Sequence, residues 1–161
     1  MRMKPIVEIN LNEMRIVAQR SKEASVAING EIQGAIEHGM VILLGIEHDD
    51  DSSDADWLIQ KIIGLRIFAD EEGKMNRSII DNGGAVLLIS QFTLHASTKK
   101  GNRPSFIKAA RPEQAIPLYE YVIQQLKQYL RVETGTFGAD MQVALINDGP
   151  VTITIDSKQK E

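Results

Sequence analysis

Ser90, Gln91, Phe92, Thr93 and His95 fall within six residues, "SQFTLH". Two hydroxyls, an amide and an imidazole thus gather at the end of an apolar run, "GGAVLLISQF" (83–92). Main-chain N–H groups and hydroxyls at a strand end can hold a polar substrate, and the loops that follow strands often carry sites. If the strand continues, Ser90 and Phe92 face one side while Gln91 and Thr93 face the other. A plainer reading also fits: the hydroxyls satisfy the adjacent backbone. A Ser or Thr nucleophile needs an activating base. His95 is two residues from Thr93, but spacing alone does not bring ring and hydroxyl together.

A second stretch, "NDGPVT" (147–152), lies between two strand-like runs, "MQVALI" and "VTITID". Asp-Gly alone suits a tight hairpin turn. Pro150 then weakens the strand that should start there, because it has no N–H and a fixed φ. Gly149-Pro150 is either a turn with a strand-start proline or a rigid peptide that presents its carbonyls. Only about 5–6% of X-Pro bonds are cis in folded proteins, so a cis bond here needs a reason.

Charge singles out a third stretch. Residues 99–111, "KKGNRPSFIKAAR", hold Lys99, Lys100, Arg103, Lys108 and Arg111 and no acid, in a chain of net charge −4. This local reversal suits a phosphate or an RNA end, or else is a solvated loop. The net charge gives no general attraction to nucleic acid, and DNA is not an expected partner. His48 opens "HDDD", a combination that can bind a metal. Acids at a helix start more often serve the helix itself, so no metal and no cofactor is expected. His38, in a turn before a strand, reads as a surface residue. The absence of cysteine excludes disulfides, thiolate ligands and Cys nucleophiles.

These residues need a scaffold. The 161 residues suit one domain with a proper core. "ASVAI" and "EIQGAI" flank Asn29-Gly30, a strong hairpin signal. "GMVILLGIE" reads as a buried central strand, and its apolar run is too short to cross a membrane. "ADWLIQKIIGLRIF" places Leu58, Ile62 and Leu65 at helical spacing, capped by Ser52, Ser53 or Asp54. "DEEGK" (70–74) is a turn, and "SFIKAA" is a short helical piece. Pro112 opens a longer helix whose apolar face is Leu118, Val122 and Leu126, widened by Tyr119 and Ile123. Strands return after residue 131. The sum is an α/β domain with a mostly antiparallel sheet. Neither GxGxxG nor GxxxxGK[ST] occurs, which disfavours the nucleotide-binding folds of those kinds. Residues 1–13 stand apart as an N-terminal extension, either an extra strand or a non-native start, before a domain at 14–161. With no signal-peptide pattern, the expected location is cytoplasmic.

"SQFTL" (90–94) and "NDGPVT" (147–152) resemble the two signature motifs of the D-aminoacyl-tRNA deacylases, the D-Tyr-tRNA deacylase family. "MRIVAQR", "ASVAING", "LRIFADEEGKMNRS", "KGNRPSF" and "TGTFGADMQV" also resemble family segments, in family order, from Met14 to about Asp156. The resemblance implies a barrel-like layered sheet flanked by helices. It implies a homodimer that hydrolyses the ester joining a D-amino acid to the 3′ end of tRNA and removes glycine mischarged on tRNA-Ala. It assigns Gly149-Pro150 to a cis peptide that enters the second subunit's site and excludes L-amino acids. Ser90, Gln91, Phe92 and Thr93 become the catalytic pocket, with N–H donors for the oxyanion and help from the tRNA 2′-OH. Arg15 is taken as the brace of the Gly-Pro loop, Phe137 and Met141 as pocket residues, and Asn147 as a support. His95 receives no catalytic part. From charge alone, Lys99, Lys100 and Arg103 are candidate tRNA contacts. The alternative is a non-catalytic RNA-binding module on the same fold, and a third reading is a metal hydrolase built on His48.

Overall fold

The structure is a computed structural model that describes residues 14–160; the extension expected at 1–13 lies outside the described residues. Strand β1 (Arg15–Ile28) is the hub. It pairs antiparallel with β2 (Glu31–Ile36), β3 (Gly39–Gly45) and the 15-residue β8 (Gln142–Asp156). β3 then pairs parallel with β6 (Ala85–Ser90), and β6 with β7 (Val132–Thr134). A small hairpin, β4 (Phe68–Ala69) and β5 (Met75–Arg77), turns at 70–74. The β1–β2 turn is Asn29-Gly30, with φ of 51° and 80°. Two positive φ values give the twist that joins antiparallel strands tightly.

The sheet nearly closes on itself. Arg131 Nη2 donates to the Ala35 carbonyl at 3.0 Å, tying β7 to β2. Gly34 permits the approach, since a Cβ there would sit 2.9 Å from the Thr134 carbonyl oxygen. The curl creates two cores. Met40, Ile42 and Leu44 of β3 and Val86 and Leu88 of β6 face the helices. Val41, Leu87 and Ile89 point inward, beside Val26 and Ile36. Burial on both faces is why these two strands read as unbroken apolar runs.

Helices α1 (Ser52–Gly64) and α2 (Pro112–Lys127) cover the first core with Leu58, Ile59 and Ile62, and with Ala115, Tyr119, Val122 and Leu126. Truncating one such residue, such as Leu58→Ala, costs about 2–5 kcal/mol. Pro112 opens α2, where a missing N–H costs nothing. Among the described residues, no helix is long and apolar enough to cross a membrane.

Three local expectations are corrected. The cap of α1 is Asp51, whose side chain accepts from Ser53 N while Asp54 reaches back to Asp51 N. "SFIKAA" forms no helix; its backbone bridges Ser105 to Ser97 and Ala109 to Glu47. "NDGPVT" does not reverse the chain. Both flanking runs belong to β8 and pair with β1 in one direction, Asn147 with Ser21 and Thr152 with Gln19. The residues between them bulge out of the ladder, and Pro150 sits in that bulge, where no pairing N–H is required.

Candidate functional site

The parallel strands β3 and β6 end side by side, and a pocket of about 290 Å³ opens at their carboxyl ends. Ser90, Gln91 and Phe92 form one rim; Phe137, Asp140 and Met141 form the other; Leu44, Ile89 and Ala115 lie deeper. Tyr119 supports the wall from α2: its ring lies 5.8 Å from that of Phe137, and its hydroxyl donates to the Leu88 carbonyl at 3.0 Å. Met141 fits because residue 135 is glycine; a Cβ there would collide with the Met141 sulfur.

The expected strand alternation over 90–93 does not occur. β6 ends at Ser90, Gln91 N donates to Leu44 O at 2.7 Å, and residues Phe92–His95 form a 3₁₀ turn. Phe92 and Thr93 are both exposed, and Phe92 meets Phe106 edge-on at 5.0 Å. The first helical bond of the turn runs from Leu94 N to Gln91 O. The N–H groups of Phe92 and Thr93 precede it, as the leading donors of any helix do. Thr93 Oγ1 accepts from the side-chain amide of Gln91.

His95 does not serve Thr93. Its side chain is 0% exposed, with Nδ1 3.1 Å from Glu47 Oε1, and the Glu47 side chain is 2% exposed. The contact lies off the axis of a linear hydrogen bond, and neither ring nitrogen has an aligned partner. Other buried acids lie nearby. Asp50 Oδ2 accepts from Glu47 N at 2.6 Å, whereas Asp50 Oδ1 is buried without a partner. Burial pushes the Asp50 carboxyl up to about 7, with Asp54 and Glu47 adding to the rise. Asp54 Oδ1 accepts from Ser157 and pairs with Lys158 Nζ, each at 2.8 Å. The Asp54 bond raises the Lys158 pKa.

The Gly-Pro loop is elsewhere. Gly149 and Pro150 are exposed and do not line the pocket of their own chain. Their peptide is cis, and Gly149 has a φ of +130°. Asn147 spans the loop, accepting from Val151 N at 3.0 Å and donating to Thr152 Oγ1 at 2.9 Å. The guanidinium behind the loop is that of Arg20, not Arg15. Arg20 donates to Asp148 O at 3.0 Å and to Ile67 O at 2.6 Å. The register gives the reason: Arg20 lies between Gln19 and Ser21, opposite the bulged residues, whereas Arg15 pairs with Asp156 at the far end of β8. Arg15 bonds Asp156 at 3.0 Å and Leu94 O at 3.1 Å, beside a separate recess of about 520 Å³. Arg20 was legible as the second arginine of "MRIVAQR"; nothing in the sequence marked Glu47 as the neighbour of His95.

Lys99, Lys100 and Arg103 are exposed on the loop that follows the turn. His48 Nε2 lies 2.6 Å from the Ile107 carbonyl oxygen, so its ring is engaged with the basic segment rather than with the acids after it. His38 is at the surface, next to Asn82 O at 3.1 Å.

A model of the D-Tyr-tRNA(Tyr) deacylase family matches residues 17–156. The chain belongs to that family. It is 61% identical over 150 residues to a D-aminoacyl-tRNA deacylase of Bacteroides thetaiotaomicron, covering 92% of this chain and 100% of the relative. A D-aminoacyl-tRNA deacylase of Geobacillus sp. (strain WCH70) is 53% identical, covering 91% and 97%. Among solved structures, one described as a c-Myc DNA Unwinding Element Binding Protein is 42% identical, with a TM-score of 0.84, covering 88% of this chain and 97% of that one. A probable eukaryotic D-amino acid tRNA deacylase shares the fold at 16% identity and a TM-score of 0.77, covering 89% and 99%. Membership makes the protein a D-aminoacyl-tRNA deacylase, a hydrolase of the aminoacyl ester, and gives it a tRNA substrate, as the sequence resemblance implied.

Proposed function

We propose that the pocket between Ser90–Phe92 and Phe137–Met141 receives the aminoacyl end of the tRNA, and that Gly149-Pro150 of a second copy of the chain closes it. The observation that carries this reading is the separation of the two motifs. A recessed pocket and an exposed, braced loop sit on one chain without meeting. A homodimer unites them, with each loop entering the other subunit's pocket. Main-chain carbonyls then form a wall against the side chain of an L-amino acid and leave the D side chain untested, so rejection comes from a clash and not from a lost contact. Glycine, with no side chain, passes the same wall, which accounts for removal of glycine mischarged on tRNA-Ala.

In the reaction, water adds to the ester carbonyl carbon and the bond to the ribose oxygen breaks. The ribose oxygen takes up a proton, leaving free tRNA and the D-amino acid. The N–H groups of Phe92 and Thr93 are the donors for the oxyanion, worth about 3 kcal/mol for each well-placed one. Thr93 has its hydroxyl bonded to Gln91 and His95 buried away from it, which supports assistance by the tRNA 2′-OH over a Thr nucleophile. Lys99, Lys100 and Arg103 approach the tRNA phosphates. The cytoplasm, where charged tRNA is used, is the location that fits.

The test is deacylation of D-Tyr-tRNA beside L-Tyr-tRNA, with the sedimentation of the protein measured alongside. Equal rates for the two esters, or a monomer with full selectivity, rejects the reading. A second reading has one observation in its favour: the 42% identical neighbour is described as a DNA-element binding protein. A non-catalytic nucleic-acid-binding module on this fold would retain tRNA without cleaving its ester.

A further inference from the structure

His95 is the last residue of the 3₁₀ turn and the only buried one in it. Every other residue from Gln91 to Ala96 is at least partly exposed. The turn is therefore fastened at its two ends. At the start, Gln91 N bonds Leu44 O. At the finish, the imidazole is enclosed between β3 and the chain that leaves it. Gly45 makes the space, since a Cβ there would lie 3.0 Å from Cδ2 and Nε2 of the ring. Glu47 then places its carboxylate 3.1 Å from Nδ1. Both fastenings reach the same strand end, and the two exposed residues between them are Phe92 and Thr93.

We propose that His95, held by Glu47, is a positioning residue that sets the pitch of this turn and so aims the N–H groups of Phe92 and Thr93 at the ester. The Glu47 carboxylate, 3.1 Å from Nδ1, gives one edge of the ring a polar contact, and Gly45 packs against the other edge, so the imidazole has a fixed place. The backbone that carries Glu47 is itself fixed, because Glu47 N donates to Asp50 Oδ2 at 2.6 Å. Donors of this kind act on charge that develops only in the transition state. A small tilt of the turn therefore lowers kcat and leaves KM in place.

The inference rests on the oxyanion role given to the turn. Its test compares His95→Phe, which keeps a ring but loses the polar nitrogens, with His95→Asn, which keeps an N–H donor near the Nδ1 position in a smaller side chain. Single-turnover and steady-state hydrolysis of D-Tyr-tRNA are measured together with Tm. The expected result for His95→Phe is a fall in kcat of about tenfold with KM within about twofold. His95→Asn is expected to recover most of kcat although its cavity lowers Tm. Loss of kcat that tracks loss of Tm in both variants overturns the inference, as does a His95→Phe enzyme with unchanged kcat. If the wild-type protein itself leaves D-Tyr-tRNA intact, the reading of the site has failed, which is a different result from either.

Discussion

The turn at 91–95 is fastened from inside the protein, whereas the loop at 148–151 is fastened from behind and open in front. The groups beneath the turn are buried and titratable: Glu47, His95, Asp50 and Asp54. Those behind the loop are an arginine, which stays charged, and a neutral amide, Asn147. The pocket side thus carries a buried acid with a raised pKa, Asp50, whereas the acid of the loop, Asp148, is partly exposed and 3.6 Å from Arg20 Nε. This contrast fits the separate work that the proposed function gives the two motifs. On that reading one is a set of donors whose aim depends on the core, and the other is a wall whose shape depends on the side-chain bonds of Arg20 and Asn147.

The largest effect is expected at Asp50 and concerns stability. Its folded pKa is about 7 against an ordinary 3.8. Between those values the unfolded chain is ionised at this residue while the folded chain keeps the proton. Stability therefore falls as pH rises from about 4 to about 7 and falls no further above that, by a total on the order of 4 kcal/mol. Asp50→Asn preserves an acceptor for Glu47 N and has no proton to lose, so its urea-unfolding free energy should be flatter than wild type across this range. Parallel curves for the two proteins would remove Asp50 as the source. The D/L selectivity, which the proposed function assigns to the loop, should not follow the same pH curve.

The next effect separates two arginines. Arg20→Met removes the donors to Asp148 O and Ile67 O, bonds from a charged group worth about 1.5–3 kcal/mol each. The loop is then held by Asn147 alone, and the preference for D-Tyr-tRNA over L-Tyr-tRNA should drop about 10- to 30-fold. KM for the D substrate should change little, because Arg20 does not line the pocket. Arg15→Met should spare the selectivity, since its guanidinium bonds Asp156 and Leu94 O instead. The opposite outcome for the two variants would restore Arg15 as the brace.

These arginines also mark where reading the sequence stopped. The buried strands, both helices and the Asn29-Gly30 turn were legible because periodicity and turn chemistry act over a few residues. The partners Ser90, Phe92, Phe137 and Met141 were legible through family motifs, and the structure brings them to one pocket. What was not legible depends on register. Arg20 faces the loop because β8 gains extra residues between its pairings with Gln19 and Ser21. Composition alone could not show that "MQVALI" and "VTITID" are one strand, since an Asp-Gly between two strand-like runs signals a hairpin just as well. The strand-like alternation expected over Ser90 to Thr93 failed for a related reason: once β6 ends, the chain tightens into a turn whose far end is held by a buried histidine.

The smallest effect tests whether the wall is graded or all-or-none. Asn147 contributes an acceptor for Val151 N and a donor to Thr152 Oγ1, at the opposite side of the bulge from Arg20. Both are neutral bonds in a partly exposed place, worth about 1 kcal/mol together. Asn147→Ala should therefore lower the D/L ratio only about threefold to fivefold, with the rate on D-Tyr-tRNA unchanged. Asn147→Asp keeps an oxygen for Val151 N and loses only the donor, so it should fall between wild type and the alanine variant. A loop that tolerates small shifts gives this series in order. If Asn147→Ala instead abolishes selectivity as fully as Arg20→Met, the loop has two states and its bonds act as a unit, a rigid wall facing a turn whose donors shift by degrees.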